Sequence, residues 1–150
     1  MVSLPAVQAA NRTLVTTNSL VAVFVGGTAG IGTNTVKALA KSHGASKSTK
    51  SLRIYVIGRN KKAADAIFSE CRELCPNGNF IFIKAADLAL LGDVDVVCEE
   101  LMRVERMEAE KVGEHARIDV LCMSQAIFKP GSARIGKVSS LASYHANISH

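Results

Sequence analysis

The first 64 residues contain no aspartate and no glutamate, although they contain nine lysines and arginines. Residues 65–150 contain nine basic and thirteen acidic residues, so the two parts carry formal charges of +9 and −4. A charge imbalance of this size predicts an anionic partner for the amino-terminal part: a phosphate group, a nucleic acid or an acidic surface. The alternative is a chance clustering of solvated lysines.

Aromatic residues are few, and tryptophan is absent. Within the acid-free part the aromatic residues are Phe24 and Tyr55, and both fall in runs that predict buried strands. Nucleic-acid-binding surfaces commonly place exposed aromatic rings among their cations so that bases can stack on them. Because this part of the chain offers no such ring, we expect no nucleic-acid partner.

Long hydrophobic runs are also missing. Residues 20–25 form one of the longest apolar stretches, which is far shorter than the roughly 20 residues that a membrane-spanning helix needs. The chain does not open with the basic segment, apolar segment and cleavage site of a secretory signal. We therefore expect a soluble, cytoplasmic protein without a membrane partner.

The four cysteines lack the closely spaced pairs of a structural zinc site. Cys71 and Cys75 are four residues apart at the end of a predicted helix, a spacing that would place both thiols on one helix face. No histidine or further cysteine is near them in the sequence. We expect reduced thiols that pack as small hydrophobic residues, and we predict no metal site.

Four short runs rich in β-branched and aromatic residues alternate with three patterns of helical period. The predicted strands are residues 21–25, 52–57, 80–83 and 118–123, and the predicted helices are residues 31–44, 63–74 and 94–104. In the first helix, the residues that share one face are Ile31, Thr35, Ala38 and Leu39, and Gly44 is the expected C-cap. This order predicts an α/β fold with a parallel sheet and right-handed crossovers.

A cluster of glycines lies where the first strand gives way to the first helix, in VFVGGTAGIG at residues 23–32. There, backbone N–H groups and the positive end of a helix dipole can receive an anion. Gly26 would permit the tight turn, Gly30 would make room for a pyrophosphate, and Gly32 would let the helix pack closely. No Gly-Lys-Ser/Thr follows, which excludes a Walker motif. The position predicts a dinucleotide site; a flexible turn is the alternative.

These residues resemble the short-chain dehydrogenases/reductases, whose first turn reads Thr-Gly-x-x-x-Gly-Ile-Gly; VGGTAGIG matches it with Val25 in place of threonine. Three further landmarks follow in the family's order: VIGRN, AADL and IDVLCMSQA. The resemblance covers about residues 20–128, and fungal members with a helix before the first strand are the most similar. It implies a Rossmann-like, doubly wound parallel sheet, incomplete at about four strands. Residues 1–128 would form this domain, with an extension at 1–19 and a loosely specified tail at 129–150.

The end of the second strand distinguishes two cofactors, because this position of the fold normally contacts the adenosine ribose. NAD(H) calls for an acidic residue that accepts the ribose hydroxyls, whereas the 2′-phosphate of NADP(H) calls for an arginine. Arg59 is followed by Asn60, Lys61 and Lys62, and the first acidic residue is Asp65. The sequence favours NADP(H) over NAD(H). The alternative is that Arg59 only caps the strand or faces solvent.

The resemblance implies further cofactor contacts, from Thr28, Ile31, Asn60, Asp87, Leu88 and Ser124. Asp87 would meet the adenine amino group with Leu88 beside the ring, although an aspartate there could instead be the N-cap of the next helix. The family's turn after strand four reads Asn-Asn-Ala-Gly, and this chain has Met-Ser-Gln-Ala at residues 123–126. That departure keeps a backbone contact with the cofactor possible but lacks the asparagine amide and the glycine.

The family transfers hydride between the nicotinamide and a carbonyl or alcohol carbon. It uses a tyrosine as acid/base, a lysine four residues later and a serine. Here Tyr55 lies inside strand two, and Tyr144 is followed four residues later by Ile148. KVSSLASY resembles the family's fifth strand, with its serine at Ser139 or Ser140, yet only residues 127–136 separate it from the strand-four turn.

Either an internal segment is missing before KVSSLASY or this likeness is accidental. We assign no catalytic residue. We expect a truncated oxidoreductase that binds cofactor without turning over a small carbonyl or alcohol substrate. The alternative is a non-catalytic dinucleotide-binding module.

Overall fold

The computed structural model describes residues 3–124. Within them, four strands form one parallel sheet in the order β3-β2-β1-β4. In chain order the elements are α1 (Leu4–Thr17), β1 (Leu20–Val25), α2 (Gly30–Ala45), β2 (Leu52–Gly58), α3 (Lys61–Leu74), β3 (Gly78–Lys84), α4 (Leu91–Lys111) and β4 (Val120–Met123). The Rossmann-like α/β fold predicted from the sequence is confirmed.

β1 is one of the two inner strands of the sheet. It pairs with β2 on one side and with β4 on the other, and all of its residues are buried. The chain builds outward from β1 through β2 to β3, and α4 then returns it across the sheet to β4. This reversal makes the gap between the carboxyl ends of β1 and β4 the topological switch point, where ligands bind in open α/β sheets.

Alternate side chains of β1 enter two separate cores, as the two-residue period of a strand requires. Leu20, Ala22 and Phe24 pack with residues of α2 and α3. The three valines of β1 pack on the opposite face, where α4 contributes Val97 and Leu101. Helices therefore cover both faces of the sheet, which is the doubly wound arrangement.

The predicted core face of α2 is wrong by one residue. The residues that α2 buries are Gly32, Val36, Ala40 and His43, whereas Ile31 is 78% exposed. The apolar period alone predicted that Ile31 faces the core. Gly32 faces it instead, because only a residue without a side chain can contact the preceding turn. Gly32 therefore sets the rotation of the helix, and Ile31 is left at the surface.

Gly44 is not a C-cap, because α2 continues through Ala45 and ends at the C-cap Ser46. A Cβ atom on Gly44 would overlap the carbonyl oxygen of Leu74, at the end of α3. The glycine therefore serves the close approach of two helices rather than the termination of one.

The amino-terminal extension contains α1. Pro5 lies in its first turn, where a missing N–H leaves no hydrogen bond unmade. Val15 is buried. Among residues 3–124, no helix is both long enough and apolar enough to cross a membrane.

The cysteines of the described residues are free thiols. Burial raises the pKa of Cys71 and of Cys75 above the ordinary value, so both stay protonated. The Sγ atom of Cys75 lies 3.5 Å from Nδ1 of His43, whose pKa is lowered by burial. No three metal-ligating side chains come together within residues 3–124.

A buried ion pair joins β2 to α4 near the amino end of the sheet. Arg53 donates to Glu105 through Nε at 3.0 Å and through a terminal nitrogen at 2.9 Å. Arg53 is 2% exposed and Glu105 is completely buried. Tyr55 donates its hydroxyl to the same carboxylate at 2.7 Å. Burial, and then the hydrogen bond and charge of Glu105, raise the pKa of Tyr55 well above its usual range.

The ion pair extends into the loop before β4. Glu114 accepts from Arg53 at 3.0 Å and from Arg117 at 3.1 Å. Arg117 also pairs with Asp119, whose carboxylate accepts the backbone N–H of Val21 at 2.8 Å. The network therefore ties the amino ends of β1, β2 and β4 together.

Glu105→Gln should destabilise the fold by about 3 kcal/mol, because removing one partner of a buried pair leaves the other charge uncompensated. Glu100→Gln is the matched control, since Glu100 pairs with Arg103 on the exposed side of the same helix. We expect it to leave the free energy of unfolding nearly unchanged. Urea denaturation of both variants measures the difference. If both variants lost the same free energy of unfolding, the buried ion pair would not stabilise the fold more than the exposed one.

Candidate functional site

The carboxyl ends of the four strands bring the predicted site residues to one edge of the sheet. The N–H of Gly26 donates to the carbonyl of Ile57 at 2.9 Å, which joins the ends of β1 and β2. The N–H of Ser124 donates to Val25 at 2.9 Å, which joins the ends of β4 and β1. Residues distant in sequence therefore share one edge, although they form three separate groups along it.

The glycine turn has the backbone that its sequence predicts. Gly26 and Gly30 have φ angles of 82° and 54°, a region that side chains disfavour. A Cβ atom on Gly30 would meet no atom within 4 Å, so this glycine borders open space. A Cβ atom on Gly32 would lie 2.6 Å from the carbonyl oxygen of Gly26 and would overlap the hydroxyl of Ser124. Gly32 therefore seats α2 directly on the turn.

The first turn of α2 offers backbone donors. Its N-cap, Ala29, makes no side-chain hydrogen bond to the helix, and its first turn has no acidic residue. The first N–H groups of a helix have no partner within the helix, and the helix dipole makes this end attractive to anions. The exposed Ile31 lies in the same turn. This arrangement suits a phosphate group.

Thr33 was missed by the sequence-based prediction. Its hydroxyl donates to the carbonyl of Gly27 at 3.1 Å and so fastens the first turn of α2 to the glycine turn. The available signal was a hydroxyl residue directly after the last glycine. Such a residue can bond to the backbone of the turn that precedes it.

The second group lies at the start of α3. Arg59 is exposed, and Asn60 is the N-cap, whose Oδ1 accepts the N–H of Ala63 at 3.0 Å. Lys61 and Lys62 follow, and Nζ of Lys61 lies 3.8 Å from Oδ2 of Asp65. Three cations at the positive end of a helix oppose its dipole, so an anion bound there would relieve the repulsion.

The third group follows β3. Asp87 is not an N-cap, because the N-cap of α4 is Leu90. The Asp87 carboxylate instead accepts the N–H of Ala89 at 3.0 Å, and the N–H of Asp87 donates to Asp93 at 2.9 Å. Leu88 packs against the core on the α4 side. The loop is thus held by its own Asp87 and by Asp93 of the first turn of α4.

Ser124 connects the two strands of the switch point. Its hydroxyl lies 3.2 Å from the carbonyl oxygen of Gly26 and donates to it. The serine therefore supports the glycine turn in this structure. The residues after it in the predicted turn, Gln125 and Ala126, lie outside the described residues.

Tyr55 is unsuited to chemistry at this edge, because it is completely buried and bonded to Glu105 near the other end of the sheet. The other residues weighed for catalysis, Ser139, Ser140 and Tyr144, lie outside the described residues.

Two surface hollows lie elsewhere on the molecule. One of about 690 Å³ runs between α1 and α2, and one of about 410 Å³ lies beside Arg117 and Asp119. Neither is lined by a residue predicted to bind a cofactor. The features that distinguish the carboxyl edge are therefore its backbone geometry and its charge.

Three fungal proteins are similar to this chain. A short-chain dehydrogenase/reductase named SAT2, from Stachybotrys chartarum, is 43% identical over 127 residues, which are 85% of this chain and 35% of that protein. The oxidoreductase AN1596 from Emericella nidulans is 39% identical over 71% of this chain and 30% of its own length. The oxidoreductase andH from Emericella variicolor is 36% identical over 67% of this chain and 28% of its own length.

The chain therefore spans about a third of the length of the curated relatives it matches. No protein-family model matches it. The predicted resemblance to fungal members of the family is confirmed by these relatives.

Gly32→Ala should destabilise the fold by about 3 kcal/mol, because its Cβ would press against backbone atoms that cannot move away independently. Gly30→Ala is the matched control. It places the same methyl group in open space, and its φ of 54° should cost only about 1 kcal/mol. Thermal or urea unfolding compares the two. A larger loss in Gly30→Ala than in Gly32→Ala would contradict the assigned roles.

Proposed function

Because the chain belongs to the short-chain dehydrogenase/reductase family, we propose that it binds a nicotinamide dinucleotide at the carboxyl edge of its sheet. One observation carries the proposal: the first turn of α2 lacks a side-chain cap and begins with Gly30, which borders open space. The pyrophosphate would lie against Gly30, Ile31 and Gly32 and accept their backbone N–H groups. Ser124 would border it, and Thr28 would contact the cofactor from the same glycine turn.

The electrostatic environment fits an anion of this kind. The first turns of α2 and α3 both lack acidic residues. Gly26 at the end of β1 is hydrogen-bonded to the end of β2, so the two helix starts lie along one edge. A dinucleotide carries phosphate groups at both of these places only when its adenosine ribose is phosphorylated.

The same reasoning leads us to propose NADP(H) rather than NAD(H). Arg59, Lys61 and Lys62 stand where an acidic residue would be needed to accept ribose hydroxyls. Arg59 would bind the 2′-phosphate through its guanidinium, and Asn60 would hold the start of α3 while its amide nitrogen remains a donor. Asp87 and Leu88 would lie beside the adenine.

For the reaction, we propose the hydride transfer of the family, between the nicotinamide and a small carbonyl or alcohol. The cofactor supplies the hydride chemistry, and the protein must supply a proton donor. Tyr55 does not qualify, and the 150 residues contain no Tyr-x-x-x-Lys. We therefore propose cofactor binding without turnover for these 150 residues. Oxidation of NADPH by this chain with a carbonyl panel would contradict that.

Calorimetric titration with NADPH and with NADH, at one fixed salt concentration, tests the binding. The chain should prefer NADPH, and Arg59→Ala should lose about 1.5–3 kcal/mol of NADPH binding, the usual worth of hydrogen bonds to a charged group. NADH binding should change little. Arg106→Ala is the matched control, because it removes the same charge from an exposed position on α4.

Two results would contradict the proposal in different ways. No binding of either dinucleotide by the folded chain would remove the dinucleotide site altogether. Equal loss of NADPH and NADH affinity in Arg59→Ala would leave the site but remove the 2′-phosphate from the role of Arg59.

A further inference from the structure

Gly58 ends β2, immediately before Arg59, and its backbone does not require a glycine. Its φ lies outside the left-handed region, in contrast to that of Gly26 and Gly30. Glycine inside a strand loses stability through backbone entropy and offers no side chain for packing. The absence of a side chain at Gly58 therefore needs an explanation in space rather than in conformation.

The space beside Gly58 is occupied by Thr28 of the glycine turn. A Cβ atom on Gly58 would lie 3.2 Å from Cγ2 and 3.4 Å from Oγ1 of Thr28, and 3.8 Å from the ring of Phe82. The first of these distances is tighter than ordinary van der Waals contact. An alanine at position 58 would therefore push Thr28 away by a few tenths of an ångström.

The hydroxyl of Thr28 is in a different situation from the other hydroxyls of this edge. Thr33 and Ser124 donate to backbone carbonyls of the turn. Within residues 3–124, the Thr28 hydroxyl makes no hydrogen bond to protein, and the residue is half-buried. A half-buried donor that the described protein does not use, beside the residue that precedes Arg59, is suited to a ligand.

We propose that Gly58 is a specificity-determining position. Because it has no side chain, the Thr28 hydroxyl and Arg59 can bind the same phosphate group, which is the 2′-phosphate of NADP(H). This inference rests on the proposed function. Gly58 does not touch the cofactor; it positions Thr28. The contact matters for NADPH and much less for NADH, because NADH has no phosphate at this end of the adenosine.

The test measures the ratio of NADPH to NADH dissociation constants for the 150-residue chain and its variants. Gly58→Ala should reduce the preference for NADPH by about three- to tenfold, as expected for weakening one hydrogen bond to a charged group. Adding Thr28→Ser to Gly58→Ala should restore the preference, because serine keeps the hydroxyl and removes the Cγ2 atom that is crowded.

Two further variants keep the test independent of folding defects. Thr28→Val removes the hydroxyl, keeps the shape and leaves Gly58 in place, so it should reduce the preference by a similar factor. Gly92→Ala is the control for adding a methyl group, because a Cβ atom there would meet nothing within 4 Å. It should leave the ratio unchanged.

The outcomes separate this inference from the proposed function. If Arg59→Ala abolishes the preference while Gly58→Ala and Thr28→Val retain it, the inference fails and the proposed function stands. If Gly58→Ala weakens both cofactors equally, Gly58 is only a packing position and the inference also fails. If the unaltered chain shows no preference for NADPH, both the cofactor assignment and this inference fail.

Discussion

The contact between Gly32 and the turn that precedes α2 is the constraint on which the site depends. Because Gly32 has no side chain, the first turn of α2 rests on the backbone of Gly26 and beside the hydroxyl of Ser124. This one contact places the start of α2 at the switch point between β1 and β4. It also rotates α2 so that Val36 and Ala40 enter the core while Ile31 stays outside.

The charges at the two ends of the sheet differ in how far the protein itself compensates them. At the amino ends, the arginines and carboxylates of the network compensate one another within the protein, with Arg53 and Glu105 buried. At the carboxyl edge, the exposed cations of residues 59–62 have Asp65 as their neighbour, at a distance of 3.8 Å from Lys61. The first arrangement fixes how β1, β2 and β4 are joined. The second leaves positive charge exposed at this edge.

The helices and strands with a periodic apolar pattern could be predicted from the sequence, whereas most tertiary contacts could not. The strand runs indicated the fold and the glycine cluster indicated a candidate site, because burial on both faces and helix starts leave local signatures. The Arg53–Glu105 pair joins residues 52 positions apart, and no local pattern indicates it. Gly44 shows the same limit. Its neighbour is Leu74 of another helix, whereas the sequence pattern indicated only that Gly44 is near the end of its own helix.

The positive charges of the first 64 residues, which sum to +9, have different environments in the structure. Arg53 is buried, Lys37 pairs with Glu70 at 2.6 Å, and residues 59, 61 and 62 lie at the start of α3.

We propose above that the first turn of α2 receives the pyrophosphate of a dinucleotide. The most direct test is to follow the backbone amide resonances of the isotopically labelled chain by NMR during titration with NADPH. We predict that the largest shifts occur at Gly30, Ile31 and Gly32, because their N–H groups would change from solvent to phosphate as partner. Suppose that the chemical-shift changes saturate but occur only at residues that line the hollow between α1 and α2, while the three amides do not shift. That result would contradict the assignment of the first turn of α2 to the pyrophosphate.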